Sequence, residues 1–306
     1  KGEKERIRQT AEDLLKGVAH RDQLEEIWTA EGLLRREKPL MEQALALEYL
    51  QREGLATRAG SAWRLTAKGR ARALELLRAH RLVETYLARN EGLPAEALHA
   101  AAEEAEHRFT TDGINQLADL MNRPRFDPHG DPIPERSQDL RRINQVPLLE
   151  MEPDQVGRIA HIEDEPRVEF ETLLEMGLAP ELPVRILQRT ADTMTIGIAG
   201  EELVLPARLA AHVEIIPVED PDWYPEHLER LSSLGPGERG AVEFISPSCM
   251  GPERRRLLDF GMVPGSVVRC EFASPFGSPV AYSVRGTTLG LRTTQARNIF
   301  IRRIHE

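Results

Sequence analysis

The sequence predicts a multidomain protein of the α plus β class. Three observations carry that expectation: a length of 306 residues, helical periodicity that dominates to about residue 121, and short β-branched runs separated by turns after about residue 147. A chain this long exceeds what one hydrophobic core usually fills, so several modules are expected. Their boundaries read as 1–70, 71–140, 147–217 and 230–306.

Residues 3 to 55 read as three short helices, "ERIRQTAEDLLKGVAH", "LEEIWTAEGL" and "PLMEQALALEYLQREGL", the last with Leu40, Ala44, Leu47 and Leu50 at helical spacing. In "LATRAGSAWRLT" an Ala-Gly-Ser turn separates two strand-like runs, and Arg58 and Arg64 flank it. Helices followed by a small basic hairpin describe a winged helix-turn-helix. A small helical domain with no nucleic-acid contact fits the same pattern. The helical period resumes through "AKGRARALELLRAHRLVETYLARN", breaks at "EGLP", and returns over roughly 95–109 and 111–121. The stretch "NRPRFDPHGDPIPE" is dense in Pro and Gly and reads as an irregular loop at a domain edge.

Beyond it, "VGRIAHIE", "PVRILQR", "TMTIGIA", "EELVLP" and "HVEIIPV" describe a small all-β module. After a linker-like "DPDWYPEHLERL", the runs "RGAVEFIS", "SVVRCEFA", "PVAYSVRG", "TTLGLR" and "NIFIRRI" repeat the same order of parts. The two modules are weak internal repeats, each placing a short helix, a Gly-bearing break and a strand in its first half.

Net charge is −10, but its distribution is uneven: residues 1 to 82 hold 17 basic and 13 acidic side chains, a net of +4, while the remainder holds 23 and 37. A phosphate-contacting surface is therefore expected at the amino-terminal end. Cys249 and Cys270 have no CxxC partner, which argues against a disulfide scaffold or a zinc–thiolate site. Any metal must be held by oxygen and nitrogen. No stretch reads as a leader, and no apolar run approaches the roughly 20 residues of a membrane helix, so a cytoplasmic protein without membrane association is expected.

The densest chemistry lies in "HRLVETYLARNEGLPAEALHAAAEEAEHRF". His99, Glu103, Glu106 and His107 stand at i, i+4, i+7 and i+8 on one helix, and His80 and Glu84 at i and i+4 on the helix before it. If the two helices bring these groups together, carboxylate repulsion must be neutralised, and a divalent cation does so while accepting imidazole nitrogen as well. The donor set suits ferrous iron, manganese, cobalt or zinc. A solvated acidic helix face is the alternative. Glu104-x-x-His107 also matches one element of a di-iron carboxylate enzyme, although that chemistry needs the element twice.

The residues "LTAKGRARALELLRAHRLVETYLARNEGLPAEALHAAAEEAEH" and "DLMNRPRFDPHGDPIP" resemble the dimerisation and metal-binding region of the diphtheria-toxin-repressor family of metal-dependent transcriptional repressors. The resemblance covers about residues 65 to 134. It implies a regulatory site at Glu106 and His107, with Glu103 where manganese-sensing members carry glutamate, and an ancillary site at His80, Glu84 and His99. It further implies a ligand from the first helix, Asp13, and two from an SH3-like domain, His161 and Asp164. The carboxy-terminal runs "CMGPERRRLLDFGMVPGSVV", "SPFGSPVAYSVRGTTLGLR" and "ARNIFIRRI" resemble the FeoA type of SH3-like domain, of which residues 147–217 look like a looser copy. The implied architecture is a winged helix-turn-helix, an all-α dimerisation and metal-binding domain, and two small SH3-like β-barrels.

The resemblance implies a homodimer that represses metal-uptake genes on binding Fe2+ or Mn2+, with Zn2+ or Co2+ as substitutes, and that grips a palindromic operator in double-stranded DNA. No enzymatic group is required. The recognition helix departs from the family in carrying Glu42 and Glu48. Phosphate contact then falls to Arg35, Arg36 and Lys38 before that helix, to Arg58 and Arg64 on the wing, and to Arg70 or Arg72. An adaptor that acts on a protein partner through its FeoA-type domains would also explain those acidic residues. Cys249 reads as a buried, weakly reactive thiol.

Overall fold

The computed structural model describes residues 2–20, 27–29, 40–91, 93, 95–106, 109–135 and 144–305. Two compact units emerge, the first from residues 1–86, 99–127 and 132–141 and the second from 87–98, 128–131 and 142–306.

In the first unit, α1 (Gly2–His20) buries Ala11, Leu14, Leu15, Val18 and Ala19. These positions follow i, i+3, i+4, i+7 and i+8, so a single stripe faces the core. The segment "LEEIWTAEGL", expected to be helical, instead contributes a strand, β1 (Ile27–Trp28); its residues 24–26 and 30–33 lie outside the described residues. An aromatic and a β-branched residue suit an extended edge, and Trp28 gains burial there. Then come α2 (Leu40–Arg52), β2 (Ala56–Ala59) and β3 (Ala62–Leu65), in a sheet of order β1-β3-β2 with Trp28 opposite Trp63.

The wing is fastened to α3 (Ala67–Tyr86) through the Leu-Thr-x-x-Gly motif. Thr66 caps the helix, its Oγ1 accepting from Gly69 N at 3.0 Å and donating to Gly54 O at 2.7 Å. A Cβ on Gly69 would fall 1.8 Å from Leu55 O, so only glycine permits this approach. Ala73, Leu74, Leu76 and Leu77 of α3 join α1, α2 and the wing in one core.

After α3, residues Leu87–Glu91 form a π-helical turn, followed by α4 (Ala95–Glu106) and α5 (Thr111–Leu120). Thr110 caps α5 by accepting from Gly113 N. The Pro-rich loop behind α5 is held by Arg81, whose guanidinium donates to Pro132 O at 2.7 Å and pairs with Asp127 at 3.6 Å.

The second unit holds both β modules. The first runs β4 (Val146–Pro147), β5 (Val156–Ile162), α6 (Arg167–Glu175), β6 (Pro183–Arg189), β7 (Thr193–Ile198), β8 (Glu201–Pro206), α7 (Ala207–Ala210) and β9 (Val213–Val218), with sheet order β4-β9-β5-β6-β7-β8. The second runs β10 (Leu228–Arg230), β11 (Arg239–Ile245), α8 (Gly251–Asp259), β12 (Val267–Ala273), β13 (Val280–Val284), β14 (Thr287–Leu291), α9 (Thr293–Ala296) and β15 (Ile299–Ile304), in order β10-β15-β11-β12-β13-β14. The two orders are the same order. Register shifts recur at equivalent points, Ile159/His161 against Val242/Phe244 and Ile186/Gln188 against Cys270/Phe272. Glycines recur too: Gly157 and Gly240 sit under packed isoleucines, and Gly177 and Gly261 end α6 and α8 with φ of +85° and +89°.

The expected linker is partly structural. Tyr224 and Leu228 are buried, and Leu228–Arg230 is the first strand of the second module. Arg230, 2 % exposed, joins the modules by donating to Gly177 O and Arg297 O, each at 2.8 Å, while pairing with Glu201 at 3.3 Å. Beside it Phe244 stacks on Phe300 at 4.6 Å, and Phe300 belongs to the first module's core. In the same unit Gly130 has φ +97°, and a Cβ there would lie 2.0 Å from Ala160 O, which accounts for the glycine of the Pro-x-Gly-x-Pro-Ile-Pro loop.

Candidate metal centre

Two helices of the first unit present the donors. α3 places His80 and Glu84 one turn apart on a buried face, and α4 places His99 and Glu103 one turn apart opposite them. His80 Nε2 is 3.0 Å from Glu84 Oε1, His99 Nδ1 is 3.3 Å from the same oxygen, and the two imidazole nitrogens are 3.1 Å apart. The rings meet edge to face with centroids 4.7 Å apart. Donors about 2.1 Å from one ion stand about 3.0 Å apart in an octahedron and about 3.4 Å apart in a tetrahedron. The three atoms fit a first-row divalent ion on this count, and two nitrogens with one anionic oxygen is the chemistry such ions accept.

The outer ring nitrogens are engaged as well. His99 Nε2 is 3.3 Å from Glu103 Oε1, so a proton on Nε2 leaves Nδ1 facing inward as an acceptor. From α1, the buried Lys16 brings Nζ to 3.4 Å from His80 Nδ1 and 3.9 Å from Glu103 Oε1. Sequence reasoning did not single out Lys16. Its signal was available, because it stands three residues after Asp13 on the same helix and so shares that residue's face.

The other expected ligands are distributed as follows. Asp13 is half-buried on α1, one turn before Lys16. Glu106 closes α4, but its side chain and all of His107 lie outside the described residues. His161 and Asp164 belong to the second unit. There His161 Nδ1 is 3.6 Å from Asp131 Oδ1, and burial pushes the carboxyl of neighbouring Glu214 upward while His161 opposes that shift.

On the winged helix, Arg58 and Arg64 are both exposed, and Arg58 donates to Gly60 O at 3.0 Å, which shapes the wing tip. Arg35, Arg36 and Lys38 lie outside the described residues. Of the two further arginines, Arg72 is committed elsewhere, paired with Glu12 and Glu75 at 2.7 Å each, and Arg70 reaches Leu65 O at 3.4 Å. The acidic recognition helix is less forbidding than its sequence suggests. Glu42 is half-buried and accepts from Thr10 Oγ1 of α1 at 2.5 Å, whereas Glu48 is exposed.

Comparison with known proteins places this geometry. Residues 66–135 match the iron dependent repressor metal binding and dimerisation domain, and residues 146–217 and 229–303 each match the FeoA domain. The iron-dependent repressor of Mycobacterium leprae is 31% identical over 182 residues, which span 54% of this chain and 78% of that protein. A manganese-dependent transcriptional repressor solved with manganese superposes with a TM-score of 0.61 at 25% identity, covering 68% of this chain and all of that one. A second solved structure, the T. acidophilum IdeR, covers 68% of this chain and 97% of its own at 25% identity and a TM-score of 0.55. Winged helix, helical donor pair and FeoA modules together define a metal-dependent transcriptional repressor. This chain belongs to the iron-dependent repressor family.

Proposed function

We propose that this protein is a homodimeric repressor that binds a palindromic operator when ferrous iron or manganese occupies the cluster of His80, Glu84 and His99. The convergence of these three donor atoms within 3.3 Å of one another is the observation that carries the reading. A bound divalent ion supplies charge neutralisation and a rigid cross-link between α3 and α4. Glu103 orients His99, and Asp13, Glu106 and His107 are the proposed ligands of a second position. His161 and Asp164 are proposed donors within the FeoA-type module. With α1 held, the winged helices of a two-fold dimer stand about one DNA turn apart, with Arg58 and Arg64 against phosphate. Each role is one of binding and orientation, with no chemical step, and no helix among the described residues is long and apolar enough to cross a membrane.

The test is fluorescence anisotropy on palindromic sites selected from random DNA, with manganese(II) or with ferrous iron under anaerobic conditions. Metal should raise operator affinity at least tenfold in the wild type and not in Glu84→Gln. Affinity indifferent to metal at every selected site would refute the reading.

A further inference from the structure

Lys16 stands where it obstructs the cluster it borders. An ammonium carries donors and no acceptor, so at 3.4 Å from Lys16 Nζ the Nδ1 atom of His80 must offer its lone pair. A neutral imidazole has a single ring proton, which then sits on Nε2. That atom is 3.1 Å from His99 Nδ1, to which it donates, and 3.0 Å from Glu84 Oε1. Nε2 is also the nitrogen His80 presents to the triad, and a protonated nitrogen has no lone pair for a metal. For Nε2 to coordinate, the proton must move to Nδ1, where it would confront the ammonium donors of Lys16. The contact of His80 with Lys16 and its contact with an ion through Nε2 are therefore mutually exclusive.

We propose that Lys16 is a specificity-determining residue that sets the threshold of the metal response by acting as an internal competitor. In the metal-free protein its positive charge stands in for the ion beside His80 and Glu103 and keeps His80 in the tautomer that cannot coordinate. An entering ion must evict it. The side chain has somewhere to go, because Glu103 Oε1 lies 3.9 Å from Nζ and a four-carbon stem pivots readily. The exchange swaps one cation for another, so the cluster is not left as bare, mutually repelling donors. The cost of displacing Lys16 then adds to the free concentration of metal needed. This rests on the metal-responsive reading above.

Two measurements on the full chain test it. Two-bond proton–nitrogen NMR spectra of the metal-free wild type should show His80 protonated on Nε2, which needs no variant. Calorimetric titration with manganese(II) should show Lys16→Met binding about tenfold more tightly than wild type while its metal-free form melts at lower temperature, with Lys16→Arg restoring weaker binding. If Lys16 were merely a structural ion-pair partner, Lys16→Met would lose stability without gaining affinity, and that result overturns the proposal. So does a wild-type His80 protonated on Nδ1, even should Lys16→Met fail to fold. A wild type that takes up no manganese or ferrous iron would instead sink the metal-responsive reading, and the tautomer would still report on Lys16.

Discussion

Replacing Gly69 by alanine probes the joint between the wing and the helix that carries His80 and Glu84. The added Cβ would lie 1.8 Å from Leu55 O and 2.8 Å from its carbonyl carbon. Ordinary contact requires roughly 3.4 Å, so α3 and the chain at Leu55 must separate by about 1.5 Å. Three hydrogen bonds meet at that point: Thr66 N to Leu55 O at 3.0 Å, Thr66 Oγ1 to Gly54 O at 2.7 Å, and Gly69 N to Thr66 Oγ1 at 3.0 Å. Losing them costs about 3 kcal/mol, and the better helix propensity of alanine offsets about 1, for a net loss of about 2 kcal/mol. In a unit of this size that is a fall of about 6–10 °C in Tm. Gly60→Ala is the control, since no atom lies within 4 Å of its Cβ and the cost of φ +66° alone is about 1 kcal/mol. Thermal unfolding followed by circular dichroism reads both. Manganese affinity should be unchanged in Gly69→Ala, because His80 lies about 16 Å further along α3, while operator affinity falls as the wing shifts. If Gly69→Ala melts no lower than Gly60→Ala, the collision argument is wrong.

Arg230→Met should cost about 3–5 kcal/mol, since it leaves the carbonyls of Gly177 and Arg297 without their donor and Glu201 without its partner; differential scanning calorimetry should show the two β modules melting apart. Cys249 is buried and its thiol is pushed up to about 12, chiefly by burial, so iodoacetamide at pH 8 should label it only when the second unit unfolds. Labelling of the native protein at the rate of a free thiol would contradict this. Hydrogen bonds from Arg303 hold the Glu229 carboxyl below its usual range. A depressed folded value means a contribution fully present above the unfolded value of about 4.3 and lost as pH falls through the folded one. Glu229→Gln should therefore destabilise the protein at pH 7 and match wild type once both are fully acidified, as chemical denaturation at each pH would show.

The order of modules, the helical pairing of His80 with Glu84 and of His99 with Glu103, and the duplication of the β module were legible from the chain, because periodicity and motif spacing are local properties. So were the glycines of the Leu-Thr-x-x-Gly and Pro-x-Gly-x-Pro-Ile-Pro motifs, though not their cause. Only the packed structure shows a backbone carbonyl, that of Leu55 or Ala160, standing where a Cβ would be. Tertiary contacts also overrode local preference: Trp28 entered a strand because the wing offered it a partner and burial, and Leu228–Arg230 became a strand by pairing with β15, while Arg230 reaches one carbonyl of the other module and one of its own. Glu42, which as a sequence letter opposes DNA, is turned toward Thr10 on another helix. Lys16 is the sharpest case, for a lysine in an amphipathic helix reads as solvent-facing until α3 and α4 close over it. Local sequence determined which donors share a helix face; which charge reaches which donor depends on distances between helices that are far apart in the chain, and only folding sets those.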